Sequence, residues 1–428
     1  MNRDYQVIII GAGLAGLACG LHLQKKNIPF IILESSDAPG GRIRTDKVDG
    51  FLLDRGFQIL LTEYPEARKL FDYEKLDLKP FSPGALVRLG KKFHRVTDPF
   101  REPDKALETL FAPIGTLTDK MNIAKIRLTL TGQPIEKILT ATEYTTMELL
   151  KLQGFSQSII DKFFRPFFGG IFLESKLETS SRKFEFFFRT FSGGDNVIPA
   201  KGMQELPNQL AEKLGPSNIK LNTRVTNVTN QTVTTEDGET YEAPHVVIAT
   251  DRRAMGKILY GTDLSEDDRS VTCLYFACDT APIKEPILVL NGEKTGPINN
   301  LCVPSNVSSD YAPPGQALVS VTVLGTRKDH NALEKAVRSQ LEEWFGRDVK
   351  GWRRLRTYRI DNALPKQNPP TSFVENKNEV RPGVYVCGDH MSTGSLNGAL
   401  QSGREVAAMI ERSSLSTSKS NGETADEK

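Results

Sequence analysis

The 428-residue sequence predicts an α/β fold with a buried parallel sheet, interleaved with a second domain of mixed α+β structure. Val7–Ile10 is a run of four β-branched residues without polar alternation, which is typical of a parallel strand buried on both faces. A glycine-rich turn, a helical stretch and a second apolar strand at 28–33 follow. Later parts of the chain again carry strand and helix patterns like these, but segments without nucleotide-binding patterns separate them. We therefore expect each domain to be discontinuous in sequence.

The turn after the first strand has a glycine spacing that is typical of Rossmann-type nucleotide-binding folds. Gly11 permits a tight turn, Gly13 lets backbone N–H groups reach a pyrophosphate, and Gly16 lets the helix approach the strand. Glu34 ends the second strand, 18 residues past Gly16, where its carboxylate can accept both ribose hydroxyls. This stretch predicts a bound dinucleotide but allows either NAD or FAD.

Composition and charge narrow the class of partner. The formal net charge is +2 with both signs mixed along the chain, which gives no electrostatic reason to expect nucleic acid or an anionic membrane. The five cysteines show no C-x-x-C spacing, so the sequence predicts neither a zinc site nor a disulfide framework. No signal peptide and no membrane-spanning apolar run is recognised. We therefore expect a cytoplasmic protein that binds a small molecule.

Two further motifs favour FAD over NAD. In "PGGRIRT", Gly40 and Gly41 permit a backbone turn beside a ribose and pyrophosphate, and Arg42 offers a forked cation for phosphate oxygens. In "VCGDHMSTGSLNGAL", Asp389 follows Gly388 at a strand end and can accept hydrogen bonds from a polyol chain. The helix that follows can direct its free N–H groups at a flavin ring bearing negative charge. NAD has no ribityl chain to hold, so the pair of motifs favours FAD.

The motifs "GAGLAGL…E", "APGGRIRT", "GMQELPNQLAEKL…LNTRVTNV" and "VYVCGDHMSTGSLNGALQSG" occur in the same order as in the flavin amine oxidase superfamily, which the sequence resembles. That group includes monoamine and polyamine oxidases, protoporphyrinogen oxidases and phytoene-desaturase-like enzymes. The resemblance is strong over the FAD-binding half and loose elsewhere. It implies a Rossmann-type FAD-binding domain of residues 1–80, 195–260 and 355–412, and a substrate domain of residues 81–194 and 261–354. The polar residues 413–428 are predicted to form a disordered tail.

Carried over by position, the resemblance implies a non-covalently bound FAD held by residues from all three segments. The adenosine end is assigned to Gly11, Gly13, Ala15, Gly16, Glu34 and Val225, the pyrophosphate and ribityl to Gly41, Arg42, Gly388 and Asp389, and the isoalloxazine to Gly56, Phe57, Gln58 and the backbone N–H of Leu396. Arg55 stands where a small or apolar residue is expected, so its role stays open. No metal ligands are predicted.

A flavin held in this way accepts a hydride from an organic substrate and passes the electrons to oxygen or a quinone. We therefore expect an FAD-dependent oxidoreductase of the oxidase, dehydrogenase or desaturase type, with its catalytic residues unassigned. His390 is of interest only for its position after Asp389. Two departures disfavour a small amine: Ser395 replaces an aromatic wall of the amine cage, and Thr272 or a neighbour stands where a lysine is familiar.

Ten of the 22 phenylalanines lie between Phe163 and Phe191. They can form a helical core between two domains, or the wall of a tunnel for an apolar substrate such as a polyene or tetrapyrrole, and the sequence leaves both open. Exposed phenylalanines could also dock the protein transiently on a membrane surface. Four alternatives stay open: a flavin-dependent polyene isomerase without net redox change, an amine oxidase acting on a small amine, a non-catalytic flavoprotein, and a dehydrogenase that uses NAD alone.

Overall fold

The computed structural model describes residues 5–373 and 378–423, with side chains as far as residue 414. The strands in chain order are β1 (Val7–Ile10), β2 (Phe30–Leu33), β3 (Thr45–Val48), β4 (Phe51–Asp54), β5 (Leu60–Leu61), β6 (Leu78–Pro80), β7 (Ala85–Leu89), β8 (Lys92–Val96), β9 (Asn196–Pro199), β10 (Ile219–Lys220), β11 (Val225–Thr229), β12 (Thr232–Thr235), β13 (Thr240–Glu242), β14 (His245–Ile248), β15 (Arg269–Cys278), β16 (Leu288–Asn291), β17 (Asn300–Cys302), β18 (Ala317–Leu324), β19 (Arg353–Leu364), β20 (Glu379–Arg381) and β21 (Val384–Val386).

The helices are α1 (Leu14–Lys25), α2 (Pro65–Leu70), α3 (Ala106–Phe111), α4 (Leu117–Thr131), α5 (Ile135–Leu139), α6 (Thr146–Leu152), α7 (Gln157–Ile159), α8 (Arg165–Phe172), α9 (Ser181–Gly193), α10 (Glu205–Leu214), α11 (Arg252–Tyr260), α12 (Pro304–Val307), α13 (His330–Phe345) and α14 (Leu396–Glu423). A π-helical turn at Ile160–Phe164 leads into α8. No helix within the described ranges is long and apolar enough to cross a membrane.

A six-stranded sheet with the order β10-β2-β1-β14-β21-β20 confirms the predicted α/β fold. All neighbours pair in parallel except the edge strand β20. Ile9 at its centre is opposite Ile32 on one side and Val247 on the other, and all three are fully buried. The strands come from three distant parts of the chain, between which other elements are inserted. The exact boundaries of the two domains stay a prediction.

A seven-stranded sheet with the order β19-β15-β18-β17-β16-β7-β8 forms the second large element of the fold. Its pairs are antiparallel except for β16 and β7. The prediction placed residues from 355 onward with the nucleotide-binding segments, but β19 pairs with β15 along this second sheet. The structure thus joins residues 353–364 to the second sheet, and the predicted domain boundary at residue 355 is left untested.

The predicted disordered tail is also corrected in part. Helix α14 continues through residues 413–423, so the backbone there is helical as far as Glu423. The polar composition of this stretch suggested disorder, but serine, lysine and glutamate can all extend a helix that is already nucleated by packing. Residues 424–428 of the predicted tail lie outside the described residues.

Five phenylalanines of α8, α9 and the preceding π-helical turn form a phenylalanine core. They are Phe164, Phe168, Phe172, Phe184 and Phe186, none more than 1% exposed. The rings of Phe168 and Phe184 lie with centroids 4.6 Å apart, and Phe155 packs edge-on against Phe164. Aromatic packing of this kind fixes two neighbouring helices with a defined geometry. No phenylalanine between Phe163 and Phe191 is exposed, so these residues do not form the exposed surface that was considered for membrane docking.

Lys183 of α9 is buried beside this core. Its Nζ lies 5.5 Å from the Phe172 ring centroid and has no hydrogen-bond partner in the described part of the chain. Burial lowers the pKa of Lys183 to about 7, while the negative charge of Asp389 partly opposes that shift. Arg269 lowers the pKa further, and Glu174 raises it. The protein therefore holds a lysine whose charged form is poorly solvated.

Lys183→Met should stabilise the protein in a pH-dependent way. The pKa of Lys183 is lower in the folded protein than in the unfolded chain. Between about pH 7 and pH 10 the unfolded state therefore binds more protons than the folded state, and the contribution of Lys183 to the free energy of unfolding rises with pH. The variant should gain roughly 1–3 kcal/mol in the free energy of unfolding at about pH 6, where the cation is buried, and little at about pH 10. Urea unfolding at both pH values measures this difference.

Lys335→Met is the matched control, because Lys335 is exposed on α13. It should change the free energy of unfolding little at either pH. A gain for Lys183→Met that is equal at both pH values would contradict the assigned shift.

Candidate functional site

The residues predicted to bind the cofactor meet at one cavity of about 710 Å³. It lies beyond the carboxyl ends of β1, β2, β14 and β21, the edge of a parallel sheet at which ligands bind. Thirteen of the fourteen predicted residues line it: Gly11, Gly13, Ala15, Glu34, Gly41, Arg42, Gly56, Phe57, Gln58, Val225, Gly388, Asp389 and Leu396. The remaining residue, Gly16, lies behind the glycine turn.

The glycine turn brings β1, α1 and β14 into close contact. Gly11 has a φ of +103°, and a Cβ there would lie 3.0 Å from the carbonyl oxygen of Ala249. A Cβ at Gly16 would lie 2.0 Å from the carbonyl oxygen of Gly11, so no side chain fits. A Cβ at Gly13 would meet nothing within 4 Å. The start of α1 is thus pressed against the strand on one side and open to the cavity on the other.

Glu34 is buried at the end of β2 and is held in place by backbone donors. Its Oε2 accepts the Ala12 N–H at 2.7 Å, and its Oε1 accepts the Ser36 N–H at 2.9 Å. Val225, at the start of β11, lines the same cavity as Glu34, and so does Arg224. The carboxylate is therefore fixed by the glycine turn and the loop after β2 while it lines the cavity.

An ion pair joins the "GGR" segment to the carboxyl-terminal motif. Arg42 Nη2 donates to Asp389 Oδ1 at 2.5 Å, and Arg42 Nη1 donates to the carbonyl oxygen of Ala363 at 3.0 Å. Burial opposes ionisation of Asp389, but the Arg42 guanidinium beside it outweighs this effect and holds the pKa of the carboxyl well below its ordinary value. Asp389 is therefore an ionised acceptor at every physiological pH.

All four residues of the "RGFQ" segment, 55–58, line the cavity. Gly56 has a φ of +93°, and a Cβ there would lie 2.8 Å from Ile360 Cδ1. Gln58 Nε2 donates to the carbonyl oxygen of Arg42 at 3.0 Å, while its buried Oε1 has no partner among the described residues. Arg55, whose role was open, donates to Asp46 from Nε at 3.2 Å and from Nη2 at 2.9 Å. Its guanidinium is thus held by an ion pair.

The phenylalanine-rich segment supplies both a core and a cavity wall. Phe167, Phe187 and Phe191 line the cavity, together with Tyr64 and Phe81 from earlier in the chain. The five residues of the phenylalanine core do not line it. Some phenylalanines of the segment therefore form a core and others line the cavity, so each of the two alternatives left open by the sequence applies to different residues.

Three residues singled out in the sequence lie in different surroundings. Ser395 lines the cavity and accepts the Gly398 N–H at 3.0 Å, so it caps the start of α14. Thr272 is turned away, with its hydroxyl donating to the carbonyl oxygen of Gly325 at 2.9 Å, and its neighbour Val271 lines the cavity instead. His390 does not line the cavity, and its Nδ1 lies 3.9 Å from Asp389 Oδ1. Its position is that of a packed turn residue.

Three neutral polar residues that no sequence motif predicted also line the cavity. Asn300 lines the cavity, donates from Nδ2 to Thr322 Oγ1 at 3.3 Å and accepts from Asn299 Nδ2 at 2.9 Å. Thr322 and Asn196 line the cavity as well. Each of these residues lies on a different strand and stands alone in its local sequence, so no motif pointed to them.

Comparison with known proteins agrees with this geometry. The model of the family described as flavin containing amine oxidoreductase matches residues 14–410. The chain is 26% identical to "Probable flavin-containing monoamine oxidase A" of Dictyostelium discoideum over 289 residues, which is 62% of this chain and 61% of that protein. A lycopene-forming phytoene desaturase of Pseudescherichia vulneris is 36% identical over 86 residues, 18% of this chain and 17% of that enzyme. The alignments span about half to three fifths of the first curated relatives.

Among solved structures, that of wild-type putrescine oxidase bound to putrescine has a TM-score of 0.68 and 16% identity, with 96% of this chain and 99% of that chain covered. An oxidoreductase from Methanosarcina mazei has a TM-score of 0.67 and 17% identity, with 94% and 99% covered. At such identities these two likenesses concern the fold alone. The family match over nearly the whole chain confirms the resemblance seen in the motifs and identifies flavin as the cofactor. The chain belongs to the flavin-containing amine oxidoreductase family.

Proposed function

We propose that the protein is an FAD-dependent oxidoreductase that transfers a hydride from an apolar organic substrate to a non-covalently bound flavin. The observation that carries this proposal is the mixed polarity of this cavity. Charged and glycine-rich segments line it together with the aromatic side chains of Phe167, Phe187 and Phe191. A cofactor with a charged, hydroxylated portion and an aromatic ring fits such a mixed lining, and leaves the aromatic wall for the substrate.

The donor and acceptor set of the polar part fits FAD. The open start of α1 at Gly13 offers backbone N–H groups to a pyrophosphate. Glu34 and Asp389 are carboxylates that can accept hydroxyl hydrogen bonds from ribose and ribityl, and Arg42 can turn one N–H toward a phosphate. Bound FAD would supply the hydride acceptor at its ring. The protein residues hold it, orient it and exclude water.

Two residue types that are absent from the described lining residues support a non-covalently bound flavin and a reaction without a general base. The lining contains no cysteine and no histidine, so those two side chains are not there to bond covalently to a flavin or to act as a general base. Of the side chains on the aromatic wall only Tyr64 can ionise, and burial raises its pKa well above the ordinary value. The wall therefore acts by positioning a substrate C–H bond at the flavin ring.

An apolar substrate is preferred to a small amine because the carboxylates that line the cavity, those of Glu34, Asp251 and Asp389, all follow strands of the six-stranded sheet, where the cofactor is proposed to bind. Asn196, Asn300 and Thr322, which line the cavity from strands of the other sheets, are neutral. An ammonium group buried among them would have no counter-charge. Amine oxidation is the second candidate, and its support is the family itself together with the fold shared with putrescine oxidase.

Arg42→Ala should weaken FAD retention, because it removes a charged donor from the pyrophosphate region. Loss of such a charge-assisted hydrogen bond is worth about 1.5–3 kcal/mol, or roughly 10- to 100-fold in the dissociation constant. The ratio of flavin to protein absorbance after gel filtration measures it. Arg353→Ala is the matched control, because Arg353 is exposed, pairs with Asp49 and does not line the cavity. Equal flavin content in both variants and the wild type would assign Arg42 a purely structural role.

Anaerobic titration of the purified yellow protein tests the substrate class. Polyenes or tetrapyrroles should bleach the flavin absorbance lastingly, and putrescine-like diamines should not. Phe187→Asp, which places a carboxylate on the aromatic wall, should slow that bleaching at least about tenfold, since burying a charge beside an apolar ligand is unfavourable. Bleaching by diamines alone would favour the amine oxidase, and product formation without lasting bleaching would favour an isomerase. Protein that stays colourless when mixed with FAD would overturn the proposal itself.

A further inference from the structure

The buried amine of Lys183 lies against the carboxyl-terminal turn, which we define as residues 389–395. Lys183 is 1% exposed, and its Nζ has no hydrogen-bond partner in the described part of the chain. A Cβ at Gly394, where φ is +53°, would lie 2.8 Å from this Nζ. The amine therefore approaches the backbone of the turn so closely that glycine is needed at position 394.

The carboxyl-terminal turn separates Lys183 from the cavity. Asp389 and Ser395 line the cavity, and so does Leu396, the first residue of α14. Lys183 does not line it, and neither does Gly394, against which the amine lies. The backbone of the turn thus stands between the Lys183 amine and the start of α14, where the flavin ring is proposed to bind.

The immediate surroundings of the amine offer a neutral acceptor in place of a carboxylate. A Cβ at Gly394 would lie 2.4 Å from Gln367 Oε1, so this oxygen and the Lys183 Nζ approach the same point of the turn. Gln367 Nε2 donates to the carbonyl oxygen of Ser392 at 2.5 Å. The carbonyl oxygen of Gln367 accepts the Ser180 N–H at 2.9 Å, directly before α9. Gln367 therefore holds α9 and the turn against each other.

Charged groups from several elements act on the amine. Burial lowers the pKa of Lys183 to about 7, and Arg269 of β15 lowers it as well. Asp389 of the turn and Glu174, which follows α8, raise it. His390, also on the turn, has its Nδ1 3.9 Å from Asp389 Oδ1. The amine is therefore charged below about pH 7 and neutral well above that pH.

A buried cation without a hydrogen-bonded counter-charge destabilises the fold, and such groups are typical of functional sites. Hydride transfer moves a proton and two electrons from a substrate C–H bond to the flavin ring. The ring gains one negative charge, and the oxidised substrate then releases a proton. A cation behind the turn stabilises that charge, in the same sense as the positive end of the α14 dipole.

We propose that Lys183 is a positioning residue that stabilises the reduced flavin through the carboxyl-terminal turn. This inference rests on the proposed function, because it places the flavin ring beside Leu396. Leu396 follows Gly394 by two residues, so its N–H lies within roughly 10 Å of the Lys183 Nζ. A unit charge at that distance, with an effective dielectric constant of about 20, shifts an equilibrium by about tenfold. The charged amine thus favours flavin reduction.

Redox titration of the yellow protein against a reference dye tests this effect. Lys183→Met keeps a long unbranched side chain and removes the charge. At about pH 6 the wild-type amine is charged, so reduction should be about tenfold less favourable in the variant, a midpoint potential lower by about 30 mV for a two-electron couple. At about pH 9.5 the wild-type amine is neutral with either state of the flavin, and the two proteins should differ by less than about twofold.

Lys335→Met is the matched control, because Lys335 is exposed on α13 and does not line the cavity. It should leave the midpoint potential unchanged at both pH values. Lys183→Gln is a second neutral variant, which should repeat the loss at about pH 6 with a polar side chain. The visible absorbance of the oxidised flavin should be the same in all four proteins, since the turn itself is unchanged.

Two results would overturn the inference. Equal midpoint potentials of the wild type and both Lys183 variants at about pH 6 would show that the flavin does not sense this charge. An equal loss at both pH values would assign the effect to packing. A wild type that takes up no FAD would overturn the proposed function itself, whereas yellow proteins with equal potentials would overturn the role of Lys183 alone.

Discussion

The contact between Gly16 and the carbonyl oxygen of Gly11 is the constraint on which the site depends. Because no side chain fits there, α1 begins directly against the end of β1, and its first N–H groups open onto the cavity. Gly11 is in turn pressed against Ala249, which follows β14. The closest approaches at this end of the sheet are therefore to backbone carbonyl oxygens, and the charged groups that line the cavity come from the surrounding loops.

Three distant segments converge on this edge, and one ion pair links two of them. Arg42 and Asp389 are 347 residues apart in sequence, yet they meet at 2.5 Å. The pair neutralises a buried carboxylate that would otherwise resist ionisation. The same arrangement leaves an acceptor and a donor facing one part of the cavity, while the phenylalanine wall faces the other. In the proposed function, this difference in polarity separates the cofactor from the substrate within the cavity.

Features set by local sequence were predictable, and features set by long-range packing were not. The glycine turn and the buried strands around it depend on residues within one βαβ unit, so their spacing alone predicts the parallel sheet. The pairing of Arg42 with Asp389 and the buried position of Lys183 depend on which distant helices and strands meet in space. The split of the phenylalanine segment into core and wall also depends on helix rotation.

The central claim is that the cavity holds a whole FAD, with the adenosine portion at Glu34 and Val225 and the ring toward the aromatic wall. Titration of flavin-free protein with FAD and with FMN, followed by the quenching of flavin fluorescence, tests it most directly. FMN lacks the adenosine portion and so forgoes the contacts with Glu34, Val225 and the start of α1. We expect FAD to bind at least about 100-fold more tightly than FMN, the equivalent of roughly 2.7 kcal/mol. Equal affinity for the two flavins would contradict the account.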